Sequence, residues 1–139
     1  MLEAEILGKY RSLEVIGASS NPKRPSHRVL KYLTKHGYDV TPVNPKEREI
    51  LGKASYPNLS STPEKVEVVD IFRKSEDIMP IIDEAIKIGA KAIWMQEGVI
   101  NEEAADRARD FGLLVVMDRC MHKEHLQIAR SKLRRVRGD

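Results

Sequence analysis

Residues 12–33 read SLEVIGASSNPKRPSHRVLKYL. A β-branched apolar run ends at Gly17, small residues follow, and Lys23 and Arg24 stand between two prolines. Beyond Pro25, the residues Val29, Leu30 and Leu33 repeat at helical spacing. Strand, small-residue turn and helix in this order form the first half of a βαβ unit. A flexible turn and fixed positive charge at the end of a buried strand suit an anionic ligand, most often a phosphate.

Working outward, four further apolar runs resemble that first strand: YDVTPV at 38–43, VEVVDIF at 66–72, AKAIWM at 90–95 and LLVVMD at 113–118. Several are near-continuous rather than alternating, the pattern of strands covered on both faces, as in parallel sheets. Between them lie helical stripes. Ile78, Ile81, Ile82, Ala85 and Ile86 form one, with Pro80 tolerable only in a first turn. A second starts at Asn101, a good N-cap, with Glu102 and Glu103 at its positive pole and Ala104, Ala105, Ala108 and Phe111 facing inward. A last helix runs from about His122 through Leu126, Ala129 and Leu133.

Three joints, KHGYDV, KIGAKAI and DFGLLVV, end a helix on glycine and start a strand at once. Repeated helix–Gly–strand joints indicate crossover connections and a parallel sheet. The expected fold is a single α/β domain over 1–139, a Rossmann-like three-layer sandwich whose five-stranded parallel sheet has the order 3-2-1-4-5. The connection at 44–65, with Pro45, Pro57 and Pro63, is long and irregular, a pattern more often functional than idle. Ligands on such sheets bind beyond the carboxyl ends of the strands, here expected beside the first and fourth.

The chain has 139 residues, 41% of them hydrophobic and 32% charged, with a net charge of +3. That composition supports a folded core and fits a thermophile's charge-dense surface. No apolar run reaches membrane-spanning length and the N-terminus lacks a signal-peptide pattern, so a cytoplasmic protein is expected. The basic residues Arg130, Lys132, Arg134, Arg135 and Arg137 read as a solvated helix end rather than a nucleic-acid contact, because no stacking aromatics accompany them. Cys120, His122 and His125 are too few and too close for a structural zinc site.

The strand ends nominate the binding residues. After the first strand, only Gly17 of a G-x-G-x-x-G pattern is present, but Ala18 and Ser19 can present N–H groups, and Lys23 and Arg24 supply charge. After the second, Asn44 and Pro45 stand where a nicotinamide-dinucleotide site would place an acidic residue. Phe72 and Arg73 follow the third strand, Gln96 and Gly98 the fourth, and Cys120 the fifth.

Jointly, VIGASSNPKRPSHRVLKYL, YDVTPVNP, ILGKASYPNL, VDIFRKSEDI, AKAIWMQEGV and VVMDRC resemble the small single-domain CoA-binding proteins, whose fold is similar to the CoA-binding domain of succinyl-CoA synthetase α subunits. The resemblance implies a site for coenzyme A or an acyl-CoA across the strand ends. Ala18 and Ser19 would lie at the pyrophosphate, Lys23, Arg24 and Ser26 near the phosphates, Asn44 and Pro45 near the adenosine, and Phe72, Arg73, Gln96 and Gly98 along the pantetheine path. The synthetase's phosphorylated histidine and ligase domain lie outside the matched stretches, so binding without ligase activity is expected. The competing reading is an NAD(P)-dependent Rossmann oxidoreductase, disfavoured by the missing glycines and the missing acidic residue.

Overall fold

The computed structural model describes residues 1–63 and 65–138. In chain order it contains α1 (Leu2–Lys9), β1 (Ser12–Ile16), α2 (Pro25–Lys35), β2 (Asp39–Val43), β3 (Glu49–Ile50), β4 (Lys53–Ala54) and β5 (Val68–Ile71). It continues through α3 (Ile78–Lys87), β6 (Ala92–Met95), α4 (Glu102–Asp110), β7 (Leu114–Val116) and α5 (Met121–Arg137). Single 3-10 turns occupy Leu59–Ser61 and Ser75–Asp77. Among the described residues no helix is long and apolar enough to cross a membrane.

The sheet is five-stranded, parallel and Rossmann-like, in the order β2-β1-β5-β6-β7. Counting its own strands, that is 2-1-3-4-5, which corrects the expected 3-2-1-4-5. Pro42 supplies the physical reason. In the expected order, β2 would lie between two strands and need a hydrogen-bonding ladder on each edge, but Pro42 has no N–H to give. Its carbonyl accepts from Tyr56 N–H at 3.1 Å, on the edge turned away from β1. In a parallel strand a residue's N–H and carbonyl share an edge, so the missing donor falls on the outer side, where an edge strand tolerates it.

The irregular segment after β2 covers that edge. Asn44 N–H donates to the Tyr56 carbonyl at 2.9 Å, and β3 pairs with β4 in a small antiparallel hairpin. The chain then crosses to the far side of β1 to form β5. The point where the strand order reverses therefore lies between β1 and β5.

Helices cover both faces. Val69, Ile71, Ile93, Met95 and Val115 pack with Ile78, Ile82, Ala104 and Ala108 of α3 and α4. Leu13, Val15, Val68, Trp94 and Val116 pack with Ile6, Leu30, Leu33 and Met121 of α1, α2 and α5. Helix α1 has no counterpart among the sequence expectations. Pro25 opens α2 and Pro80 falls in the first turn of α3, where each costs little. The Asn101 side chain caps α4 by accepting from Ala104 N–H. Phe111 does not face inward: it caps the end of α4, is 58% exposed, and lies under the Arg107 guanidinium. Leu133 is also exposed. A 17-residue helix is about 25 Å long at ~1.5 Å per residue, so α5 outruns strands of three to five residues.

Candidate functional site

A cleft of about 630 Å³ opens where β1, β2, β5 and β6 end and where α2 and α5 begin. Gly17, Ala18, Ser19, Arg24, Ser26, Asn44, Pro45, Phe72, Arg73, Gln96 and Cys120 all line it, so the structure brings these sequence-nominated residues together. Pro25, Lys46, Lys74, Glu97 and Val99 line it too; they lie in the same strand-end segments as the nominated residues without being nominated themselves. Lys23 and Gly98 do not line it. Lys23 is exposed, and the Gly98 N–H is committed to Asp118 Oδ1 at 2.8 Å.

Gly17 sets the floor. Its N–H donates to the Val43 carbonyl at 3.0 Å, and Phe72 N–H donates to Ile16 at 2.9 Å, which ties three strand ends together. Its φ is +84°, and a Cβ there would run into the Phe72 carbonyl oxygen. Only glycine allows the β1 and β5 loops to come this close.

Beyond it, the loop is held by its own polar groups. Asn21 N–H donates to Ser19 Oγ at 3.0 Å, and His27 Nδ1 meets the Ser19 carbonyl at 2.9 Å. That carbonyl can only accept, so His27 carries its proton on Nδ1. Asn44 Nδ2 donates to the Ala18 carbonyl at 2.7 Å, while its Oδ1 accepts from Lys46 N–H at 2.8 Å. Asn44 is therefore a clamp between two loops. Glu47 adds a second clamp, accepting from both the N–H and the hydroxyl of Ser20. Among the described residues the N–H groups of Ala18 and Ser19 find no acceptor. Two open N–H donors beside Arg24, Lys46, Arg73 and Lys74 make a site suited to an anion.

At the other end of the cleft, the Gln96 side chain is 3% exposed, and its Oε1 accepts from Met121 N–H at 3.2 Å. That bond fixes the amide and leaves Nε2 as the donor on the cleft side. Cys120, half-buried and outside any disulfide, precedes α5 as its N-cap. Lys123 is paired with Glu97 at 3.0 Å beside it.

Below and beside the cleft lie further ionisable groups. Asp70 sits in the middle of the sheet between Val15 and Trp94, and neither carboxyl oxygen has a partner. Burial raises its pKa well above the usual carboxylate range. Between α2 and α5, Tyr32 stacks on His36 and His122 at 4.1 and 3.9 Å, and its hydroxyl meets His125 Nδ1 at 2.8 Å. Burial, then His36 and Arg28, lower His122; burial, then His36, Lys132, Arg11 and His122, lower His125. Both α5 histidines are thus turned toward α2. The spacings Tyr32/His36 and His122/His125 are helical and could have signalled a shared helix–helix seam. Among the described residues no group of three or more His, Cys, Asp or Glu is arranged to hold a metal ion.

Comparison with known proteins gives the same picture from another direction. Residues 11–126 match the family described as the CoA binding domain. The Bacillus subtilis protein YneT is 35% identical over 121 residues, 87% of this chain and 90% of that protein. A solved structure of a hypothetical protein from Pyrococcus horikoshii OT3 superposes with a TM-score of 0.88 at 46% identity, covering 90% of this chain and 88% of that one. The α subunit of the ADP-forming acetate–CoA ligase II of Pyrococcus furiosus is 27% identical over 122 residues, but these are 27% of the ligase subunit.

Proposed function

This chain belongs to the CoA-binding domain family, and from that premise we propose that it holds coenzyme A or an acyl-CoA in the cleft at the carboxyl ends of β1, β2, β5 and β6. The observation that carries the reading is the pair of open N–H groups at Ala18 and Ser19, set among four cations in one cleft. A diphosphate is the part of CoA that needs such a cradle. The cleft volume of about 630 Å³ falls within the range of roughly 300–1,000 Å³ found for small-molecule sites.

In this reading Ala18 and Ser19 donate to the diphosphate, and Arg24, with Ser26 beside it, meets the phosphates at the start of α2. Pro45 offers an apolar surface to the adenosine, while Asn44 shapes the wall by clamping the Ala18 loop. Phe72, Arg73 and Gln96 line the path of the pantetheine arm toward Cys120. Lys23 and Gly98 fall outside this narrower set. Coenzyme A brings its own thiol, the atom that carries acyl groups; the chain's contribution is to bind and orient it.

The protein acts as a CoA carrier or subunit without ligating acyl groups itself. Its likeness to YneT extends along 90% of that protein, whereas the ligase subunit is matched over 27% of its length. Native and denaturing mass spectrometry of the purified protein tests the binding. A ligand of CoA or acyl-CoA mass should accompany the native protein, and purified CoA should rebind after its removal. A preparation that neither carries nor rebinds CoA contradicts the reading. Incubation with CoA, succinate, and ATP or GTP should yield no succinyl-CoA.

A further inference from the structure

Cys120 lines the same cleft as Ala18, Ser19 and Arg24, one residue before α5. A lone cysteine at such a place is often no more than a small apolar filler. Here a second feature points into the cleft: the Gln96 side chain, 97% buried by its 3% exposure, spends its oxygen on Met121 N–H, next to Cys120. Its Nε2 has no acceptor among the described residues and stays as a fixed donor on the cleft side. The buried side chain is thus held in place with its free donor at the cleft wall, where a ligand's acceptor can meet it. The Lys123 ammonium, oriented by Glu97 at 3.0 Å, adds positive charge within electrostatic reach of the Cys120 sulfur.

Resting on the CoA reading above, we propose that Cys120 is a reversible modification site, taking the CoA moiety from a CoA disulfide as a mixed disulfide. The Cys120 sulfur gives up its proton and attacks one sulfur of the CoA disulfide. A new S–S bond forms between Cys120 and that CoA, the old S–S bond breaks, and the departing CoA thiolate takes up a proton. One disulfide is consumed and one is made, so no further oxidant is required. The reverse reaction, with any small thiol, restores Cys120. What distinguishes this from general oxidation is positioning: the cleft holds the incoming disulfide by its nucleotide part and presents its sulfur to Cys120.

The test uses the full chain, with CoA disulfide as probe and glutathione disulfide as the control lacking a nucleotide. Intact-mass analysis should show a gain of one CoA less two hydrogens. The adduct should be absent in Cys120→Ser and should be removed by dithiothreitol. The rate with CoA disulfide should exceed that with glutathione disulfide at equal concentration by at least about tenfold, because binding positions the sulfur. Adenosine 3′,5′-diphosphate, which has no thiol, should slow the first reaction and leave the second unchanged. Equal rates without protection, or no adduct on protein that calorimetry shows to bind CoA, overturns the proposal while leaving the binding reading in place. Failure of CoA to bind at all overturns both.

Discussion

The two ends of the sheet are built from the same five strands and treat their backbone polar groups in opposite ways. At the amino end the chain satisfies itself in one continuous belt. Asp39 N–H donates to Arg11, the Glu67 carboxylate accepts from Arg11 and Ser12 N–H, Lys91 N–H donates to Glu67, and Leu114 N–H donates to Lys91. At the carboxyl end the ladder stops at Gly17, Phe72, Gln96 and Arg119, and the chain splays apart beyond them. There the N–H groups of Ala18 and Ser19 and the Gln96 Nε2 remain open beside Arg24 and Arg73. A buried or half-buried polar group left open is costly unless something supplies the bond. The amino end is a finished structure; the carboxyl end keeps open donors that the proposed CoA would fill.

The largest effect on this contrast should come from Gly17→Ala. The added methyl meets the Phe72 carbonyl and the residue must hold φ +84°. Strain and overpacking together should cost about 2–5 kcal/mol of folding stability, measured by urea denaturation, and CoA binding should be lost at the same time. Next is Arg24→Ala, at the cleft but outside the core. It should weaken CoA binding by about 1.5–3 kcal/mol by calorimetry through loss of a charge-assisted bond, with an unchanged urea midpoint.

Glu67→Ala breaks the belt at the other end. It should cost about 1 kcal/mol of stability and leave CoA affinity at its wild-type value. A large loss of affinity there would mean that the two ends are not independent.

The smallest effect is the acid limb. His122 and His125 are held below their ordinary pKa between α2 and α5, first by burial and then by neighbouring cations. The folded state therefore binds fewer protons than the unfolded chain. Stability present at neutral pH should fall as pH drops through the unfolded value of about 6.5, and level off below the lowered folded values. Replacing both histidines with glutamine should flatten that slope in urea midpoints measured from pH 8 to pH 5.

Much of this contrast was legible in the sequence because local rules govern it. β-Branched runs gave the strands, Gly37, Gly89 and Gly112 the joints, and Asn101 and Pro25 the helix starts. The strand order differs from the expected one although Pro42 carries the signal, since a proline inside a strand belongs on an edge. Glu47 could not be found by spacing: its clamp on Ser20 joins residues 27 apart in sequence. Lys46, Lys74 and Glu97 differ from it: each directly follows a nominated strand-end residue, Pro45, Arg73 and Gln96, so chain position alone carried their signal. Helix α1 has little amphipathic pattern and is fixed by tertiary bonds such as Tyr38 hydroxyl to the Leu7 carbonyl at 2.6 Å.

The most direct test of the central claim is calorimetric titration of the ligand-free protein with CoA and with NAD in the same buffer and salt. Both ligands carry a diphosphate and an adenosine, so the comparison asks whether this cleft is built for the 3′-phosphate and the pantetheine arm. CoA should bind more tightly by at least about tenfold, or ~1.4 kcal/mol. Equal affinity for the two, or tighter binding of NAD, would contradict the account.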